Sequence, residues 1–344
     1  MALKEKEYTF DASYQPQVRT NTDTQRIMLD VMIALLPALC VGVFMFGFKA
    51  LLLTAVSVAA CVFFEWGYRK LLKKPDSIGD LSACVTGMLI SFVIPVSAPW
   101  WMPVVGAFFA MVIVKQLYGG IGKNFLNPAL AARAFMMASW SVIMTTWAVP
   151  KTLANAGIDG ATMATPLKFL KAGEALPDYF TNLNLFLGNV PGCIGEISVL
   201  ALLIGGIYLL ARKVINWRIP VAFIGTVAVL TLIFGKEGYG NFDWMLKNVL
   251  SGGLFLGAIF MATDYSSSPV TLNGQLLYGF GCGVLTIMIR YFGGFPEGVS
   301  YAILIMNLCA WAIDKAFHRH QFGVSREDIA AEKAAKKAAK EAKA

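Results

Sequence analysis

The chain has 344 residues, 57% of them hydrophobic and only 15% charged, where a soluble domain of this size carries about a quarter charged residues. The missing charge is absent from blocks of roughly 18 to 22 residues, long enough to cross about 30 Å of hydrocarbon as helices, and this excludes an ordinary soluble fold. The net charge is +8, but the basic residues flank the apolar blocks, so they are read as setting membrane orientation and no nucleic-acid partner is expected.

Residues 1–26 are polar with charges of both signs, unlike a cleavable signal peptide. Spans are then expected near 28–48, 50–68, 81–97, 101–118, 128–149, 194–211, 219–234, 248–263, 274–291 and 300–317. The expected fold is an all-α polytopic membrane protein of about ten transmembrane helices. With the N-terminus inside, twenty of the 29 Lys and Arg residues fall on inside segments and seven on outside ones, Arg290 among the seven. That bias places both termini on the cytoplasmic side. The Ala/Lys-rich stretch 318–344 reads as a solvated cytoplasmic tail.

The longest hydrophilic connection, 150–193, carries scattered apolar residues such as Phe169, Phe180 and Phe186, and reads as an ordered loop outside the membrane. The chain thus divides into a cytoplasmic segment (1–26), a first transmembrane repeat (27–149), an extracytoplasmic loop (150–193), a second repeat (194–317) and the tail. The two repeats are weakly similar. Pro95 matches Pro269, and Tyr118-Gly119-Gly120 matches Phe292-Gly293-Gly294 at the same offset. Five spans separate equivalent pieces, an odd number, so they run in opposite directions, as in the five-plus-five inverted repeats of transporters.

The six cysteines are scattered, without CxxC or Cys/His spacing, so no metal ligand set is expected. After Gly119-Gly120 comes Ile-Gly-Lys-Asn-Phe-Leu-Asn-Pro-Ala, with Asn124 and Asn127. Glycine pairs and an Asn-Pro step at membrane depth fit a broken helix that lines a cavity, or a simple turn between spans. Asp30, Glu65, Lys115 and Arg133 lie in or near apolar spans, and Asp264 follows one. Such charges mark an ion path or a cofactor contact, unless Asp30 and Glu65 snorkel from span ends. Seven tryptophans at span ends, Trp100, Trp101, Trp140, Trp147, Trp217, Trp244 and Trp311, read mostly as interfacial anchors.

The outside loop holds Asp159-Gly160-Ala161-Thr162-Met163-Ala164-Thr165-Pro166. By itself this is a turn or a helix cap. With the 119–135 segment before it, however, the chain resembles the family formed by the D subunit of the Rnf electron-transport complex and the B subunit of the sodium-pumping NADH:quinone reductase. The resemblance runs over roughly residues 20–320, and the length fits the Rnf branch. It implies flavin mononucleotide (FMN) joined by a phosphoester to the last Thr of a Ser/Thr-x-Ala-Thr motif, here Thr165. Thr162, Met163 and Ala164 form the rest of that motif, and Asp159 and Gly160 precede it. It also implies a separate flavin transferase, other subunits of a Rnf-type complex, and a bacterial or archaeal cell (inner) membrane location. A second flavin, riboflavin, is implied among the helices, and the broken-helix signature places it by Asn124 and Asn127.

The function so implied is electron relay between the ferredoxin and NAD branches of a complex coupled to Na⁺ or H⁺ translocation. The chain would be an oxidoreductase subunit with no catalytic residue of its own, and it lacks the Gly-x-Gly-x-x-Gly fingerprint of NAD binding. The competing reading is a solute channel or transporter of inverted-repeat type without a redox centre.

Overall fold

The computed structural model describes residues 23–155, 162–174, 176–235, 240–294 and 296–317. The described part is helical, with two isolated β-bridges and no longer strand. The N-terminal segment up to residue 22, the tail from 318, and Asp159 and Gly160 lie outside the described residues.

The first half holds α1 (Thr24–Phe46), α2 (Phe48–Leu71), α3 (Ser82–Phe92), α4 (Trp101–Gln116) and α5 (Pro128–Ser139). Short helices α6 (Ser141–Met144), α7 (Lys151–Asn155), α8 (Pro166–Ala172) and α9 (Asn182–Leu187) follow. The second half holds α10 (Val199–Ala211), α11 (Arg218–Ile233), α12 (Asn241–Leu250), α13 (Leu254–Met261), α14 (Leu272–Phe292) and α15 (Val299–Ala316). Of these, α1, α2, α14 and α15 are long and apolar enough to cross a bilayer. The pair α12 and α13, bent by 62° at its break, adds a fifth when counted as one broken span and none when counted as a re-entrant loop.

The surface chemistry is that of a membrane protein. Phe44, Ile207, Leu308 and Trp311 are all more than 60% exposed, while Ser57 and Glu65 are fully buried. Apolar side chains face out and charge faces in, the arrangement that lipid demands.

Several expected spans are shorter as helices. The 81–97 block is helical only to Phe92, because Ile94 precedes Pro95, and a residue before proline is pushed out of the α region. The chain then turns and pairs with the stretch before α10. Gly195 N donates to Phe92 O (3.1 Å), Ile194 N donates to Ile94 O (3.3 Å), and Pro95 bridges Cys193. A Cβ on Gly195 would lie 2.1 Å from the Phe92 ring, so only glycine permits this approach. This pairing also delays α10, expected from 194, until Val199. The 128–149 block is helical to Ser139 and then breaks at Trp140.

The loop over 150–193 has its own small core. Phe180 and Leu185 are buried there against Met45 and Ile197, with Phe169 packed beside them. Trp100, Trp217 and Trp311 are exposed, as anchors should be, whereas Trp147 and Trp244 are buried.

Candidate cofactor sites

Two cavities collect the residues singled out from the sequence. The inner one, about 300 Å³, lies beside the start of α1 and the turn between α4 and α5. That turn needs left-handed backbone at Gly119 (φ 114°) and Gly120 (φ 92°), which glycine supplies without strain. It ends at Asn127, the N-cap of α5. Asn127 Oδ1 accepts from Ala129 N (3.0 Å) and Leu130 N (3.3 Å), with Pro128 at the first helical position. Asn127 Nδ2 donates to Met261 O (3.1 Å), the last residue of α13, and so ties the two halves of the chain together. The expected broken-helix signature is therefore a helix N-terminus meeting a half-helix C-terminus.

Asn124 lines the same cavity, buried, and its Nδ2 donates to Leu126 O (3.0 Å). Opposite stand Ser82 at the start of α3 and Lys115 from α4. The second half of α4, Phe109–Gln116, is π-helical, and the wider turn sets both Lys115 and Gln116 facing the protein interior. Lys115 Nζ donates to Ser82 Oγ (2.6 Å) and to Glu65 (3.3 Å), while Gln116 Nε2 and Ser77 Oγ each donate to Glu65 Oε1 (2.7 Å). Glu65 does not snorkel. It is a fully buried acid with a cation and two hydrogen-bond donors around it. Asp30 does not snorkel either, since it accepts from Tyr208 Oη (2.8 Å) and pairs with Arg212 (3.2 Å), joining α1 to α10. Asp264, on the cavity wall, accepts from Ser267 Oγ (2.9 Å). Burial pushes its carboxyl up from the usual range, against hydrogen bonds from Ser267, the Ser266 backbone and Asn124 and the charge of Lys115.

The outer cavity, about 490 Å³, is lined by Thr162, Met163, Ala164 and Thr165 together with Met137, Trp147, Lys168 and Glu297. An antiparallel bridge between Ala148 and Thr162, and a bond from Met163 N to Trp147 O (3.1 Å), pin the motif to the wall. Thr165 is buried and stands at the N-cap position of α8, before Pro166, but its hydroxyl makes no capping bond. A hydroxyl left out of the helix cap, with Lys168 on the same wall, fits a phosphoester at that oxygen better than a structural role does.

Arg133, on α5, reaches neither lipid nor the inner cavity. It is buried between Glu196 (3.5 Å) and Glu297, which it meets at close range. Burial and the neighbouring Glu196 carboxylate push the Glu297 carboxyl up, while Arg133 pulls it down. Sequence reasoning missed Glu196, Glu297 and Arg290. Arg290, counted among the outside cations, is in fact buried in α14. The partners of Arg133 lie 63 and 164 residues away in sequence, beyond any local pattern.

A polytopic helical membrane protein with an asparagine-framed inner cavity and a threonine-bearing outer one is a recognisable class. The chain belongs to the NQR2, RnfD, RnfE family, whose profile matches residues 11–323. It is 48% identical to the D subunit of the Na(+)-translocating ferredoxin:NAD(+) oxidoreductase complex of Acetobacterium woodii, over 93% of this chain and 97% of that protein. It is 42% identical to the D subunit of the proton-translocating ferredoxin:NAD(+) oxidoreductase complex of Clostridium ljungdahlii, over 93% and 98% of the two chains. With the D subunit of the ion-translocating oxidoreductase complex of Stutzerimonas stutzeri the identity is 37%, over 89% and 93%.

Proposed function

We propose that this chain is the D-type membrane subunit of an ion-translocating ferredoxin:NAD⁺ oxidoreductase complex and relays electrons between two flavins, one in each cavity. The observation that carries the relay is α5. Ala129, near its start, lines the inner cavity and Met137, near its end, lines the outer one. Eight residues of helix separate them, about 12 Å at 1.5 Å per residue. One short helix therefore joins the two sites, and the Arg133 ion pairs, midway along it, hold it in place.

In this reading Thr165 Oγ1 carries FMN through a phosphoester, Lys168 holds the phosphate, and Thr162 and Ala164 fix the loop that a flavin transferase must reach. Asp159 and Gly160 precede that motif, outside the described residues. Riboflavin sits non-covalently in the inner cavity, where Asn124, Lys115 and Asp264 offer polar groups to its edge and Asn127 sets the wall. The flavins supply one-electron chemistry, and the protein supplies position, charge and exclusion of water.

The finer topology belongs to the same proposal. Ten membrane segments are counted with α3, α5 and the α12–α13 pair as broken or half spans, both termini are cytoplasmic, and the domain limits are 1–26, 27–149, 150–193, 194–317 and 318–344. A five-plus-five inverted repeat is supported by matching neighbours: α2 packs on α3 and α4 as α11 packs on α12 and α14. The cell membrane is the proposed location and the other Rnf-type subunits are the partners.

The test is the intact mass of the purified chain, produced in cells that make the transferase. It should exceed the polypeptide mass by one flavin phosphoryl group, and Thr165→Ala should remove the excess. A chain of bare polypeptide mass would leave a channel or transporter without a redox centre.

A further inference from the structure

Arg290 takes no part in either cavity described so far. It lies in the last turn of α14 and is 3% exposed. Its Nη1 donates to Asn248 O (2.6 Å) and its Nη2 to Ser251 O (3.2 Å), the carbonyls at the end of α12, while its Nε has no partner. Three of its five N–H donors thus remain beyond these two bonds. Among the described residues it forms no ion pair, since both nearby carboxylates, Glu196 and Glu297, are paired with Arg133. Those carboxylates still balance its charge at longer range, but its Nε is a buried donor without a partner, a costly group that an anion's oxygen would satisfy.

A third cavity, about 320 Å³, lies against it. Two cations, Arg290 and Lys171, line this cavity, and among the described residues no carboxylate does. The rest of the wall is largely apolar and aromatic, with Trp244, Tyr291 and Phe234. Phe234, just beyond α11, is 58% exposed, so the cavity reaches the apolar outer surface of the bundle. It adjoins the outer cavity, sharing Lys171 and Pro296 with it, but Thr165 lines only the outer one. Arginine facing an aromatic-lined opening at the end of a membrane helix suits a phosphate with hydrocarbon attached.

We propose that this cavity binds an anionic phospholipid of the leaflet on the Thr165 side, its phosphate on Arg290 and its upper acyl chain against Phe234 and Tyr291. The proposal does not require the flavin reading, because its phosphate contact, Arg290, lines neither flavin cavity.

The test uses the full chain in detergent, stripped of lipid, with dioleoyl-phosphatidylglycerol or dioleoyl-phosphatidylcholine added back. Native mass spectrometry should show the glycerol lipid retained and the choline lipid lost, and only the former should raise the unfolding temperature. Arg290→Gln should weaken retention about tenfold or more, as loss of a charge-assisted contact does. Because that variant also loses the bonds to Asn248 and Ser251, Phe234→Glu is the second probe. It places a negative charge at an exposed position on the cavity mouth and should expel the lipid without disturbing the fold. Thr165→Ala should retain the lipid fully. Equal retention of both lipids, stabilisation by inorganic phosphate alone to the same extent, or undiminished retention in Phe234→Glu would each overturn the proposal. So would a change in native flavin fluorescence in Phe234→Glu without any lipid effect, which would give the cavity to the flavin.

Discussion

The inner cavity is framed by helix ends and paired charges, and the outer one by a loop laid against the bundle. Around the inner site Lys115, Ser82 and Glu65 are joined by hydrogen bonds across α4, α3 and α2, and Asn127 separately ties α5 to α13. Around the outer site the motif is held by one bridge and one backbone bond, and Thr165 keeps its hydroxyl out of the helix cap. The contrast bears on how each would keep a ligand. Rigid walls retain a molecule by fit, whereas a loop at the bundle surface retains one more securely through a covalent bond.

If that contrast is right, the two sites should fail separately. Thr165→Ala should have the largest effect, removing all flavin that survives denaturation while the flavin released by acid stays at wild-type level. Loss of both pools together would show that the cavities are not independent. Arg133→Leu should come next, because it strips two buried carboxylates of their cation at about 3–5 kcal/mol. It should lower the unfolding temperature and deplete both pools, since α5 serves both cavities. Asn127→Ala should cost about 1 kcal/mol for the lost cap and should deplete only the releasable flavin. An unchanged releasable pool there would separate Asn127 from the inner site. The smallest effect belongs to Asp30→Asn, whose partner Arg212 is 57% exposed. It should shift stability by less than about 1 kcal/mol and leave both flavin pools intact, marking the α1–α10 contact as scaffold.

What could be read from the sequence follows the same division. The long helices α1, α2, α14 and α15 face lipid, so their apolar runs coincide with their helical lengths. The blocks at 81–97 and 128–149 are equally apolar but only partly helical: Val93, Ile94 and Val96, for example, lie in a turning, non-helical stretch buried among other helices. Hydropathy records burial in an apolar place and says nothing of the backbone there. The Asn-Pro step was legible because an N-cap is a local event. The Glu65–Lys115 and Arg133–Glu297 pairs were not, because their partners come together only when the fold closes. Arg290 was misread for a related reason: a cation at a span end looks interfacial until its neighbours cover it.

The twelve residues of α5 have an electrical consequence. A voltage falls where water and ions are excluded, and in the two-cavity proposal that insulating layer would be the stretch of α5 from Ala129 to Met137, about 12 Å of helix instead of about 30 Å of hydrocarbon. In that proposal the field across α5 would be correspondingly steeper than in the surrounding bilayer. An elementary charge crossing the whole potential does work of about 2.3 kcal/mol per 100 mV, and much of that drop would fall between the two cavities. An electron passed along α5 would therefore charge the membrane by itself, before any ion moved.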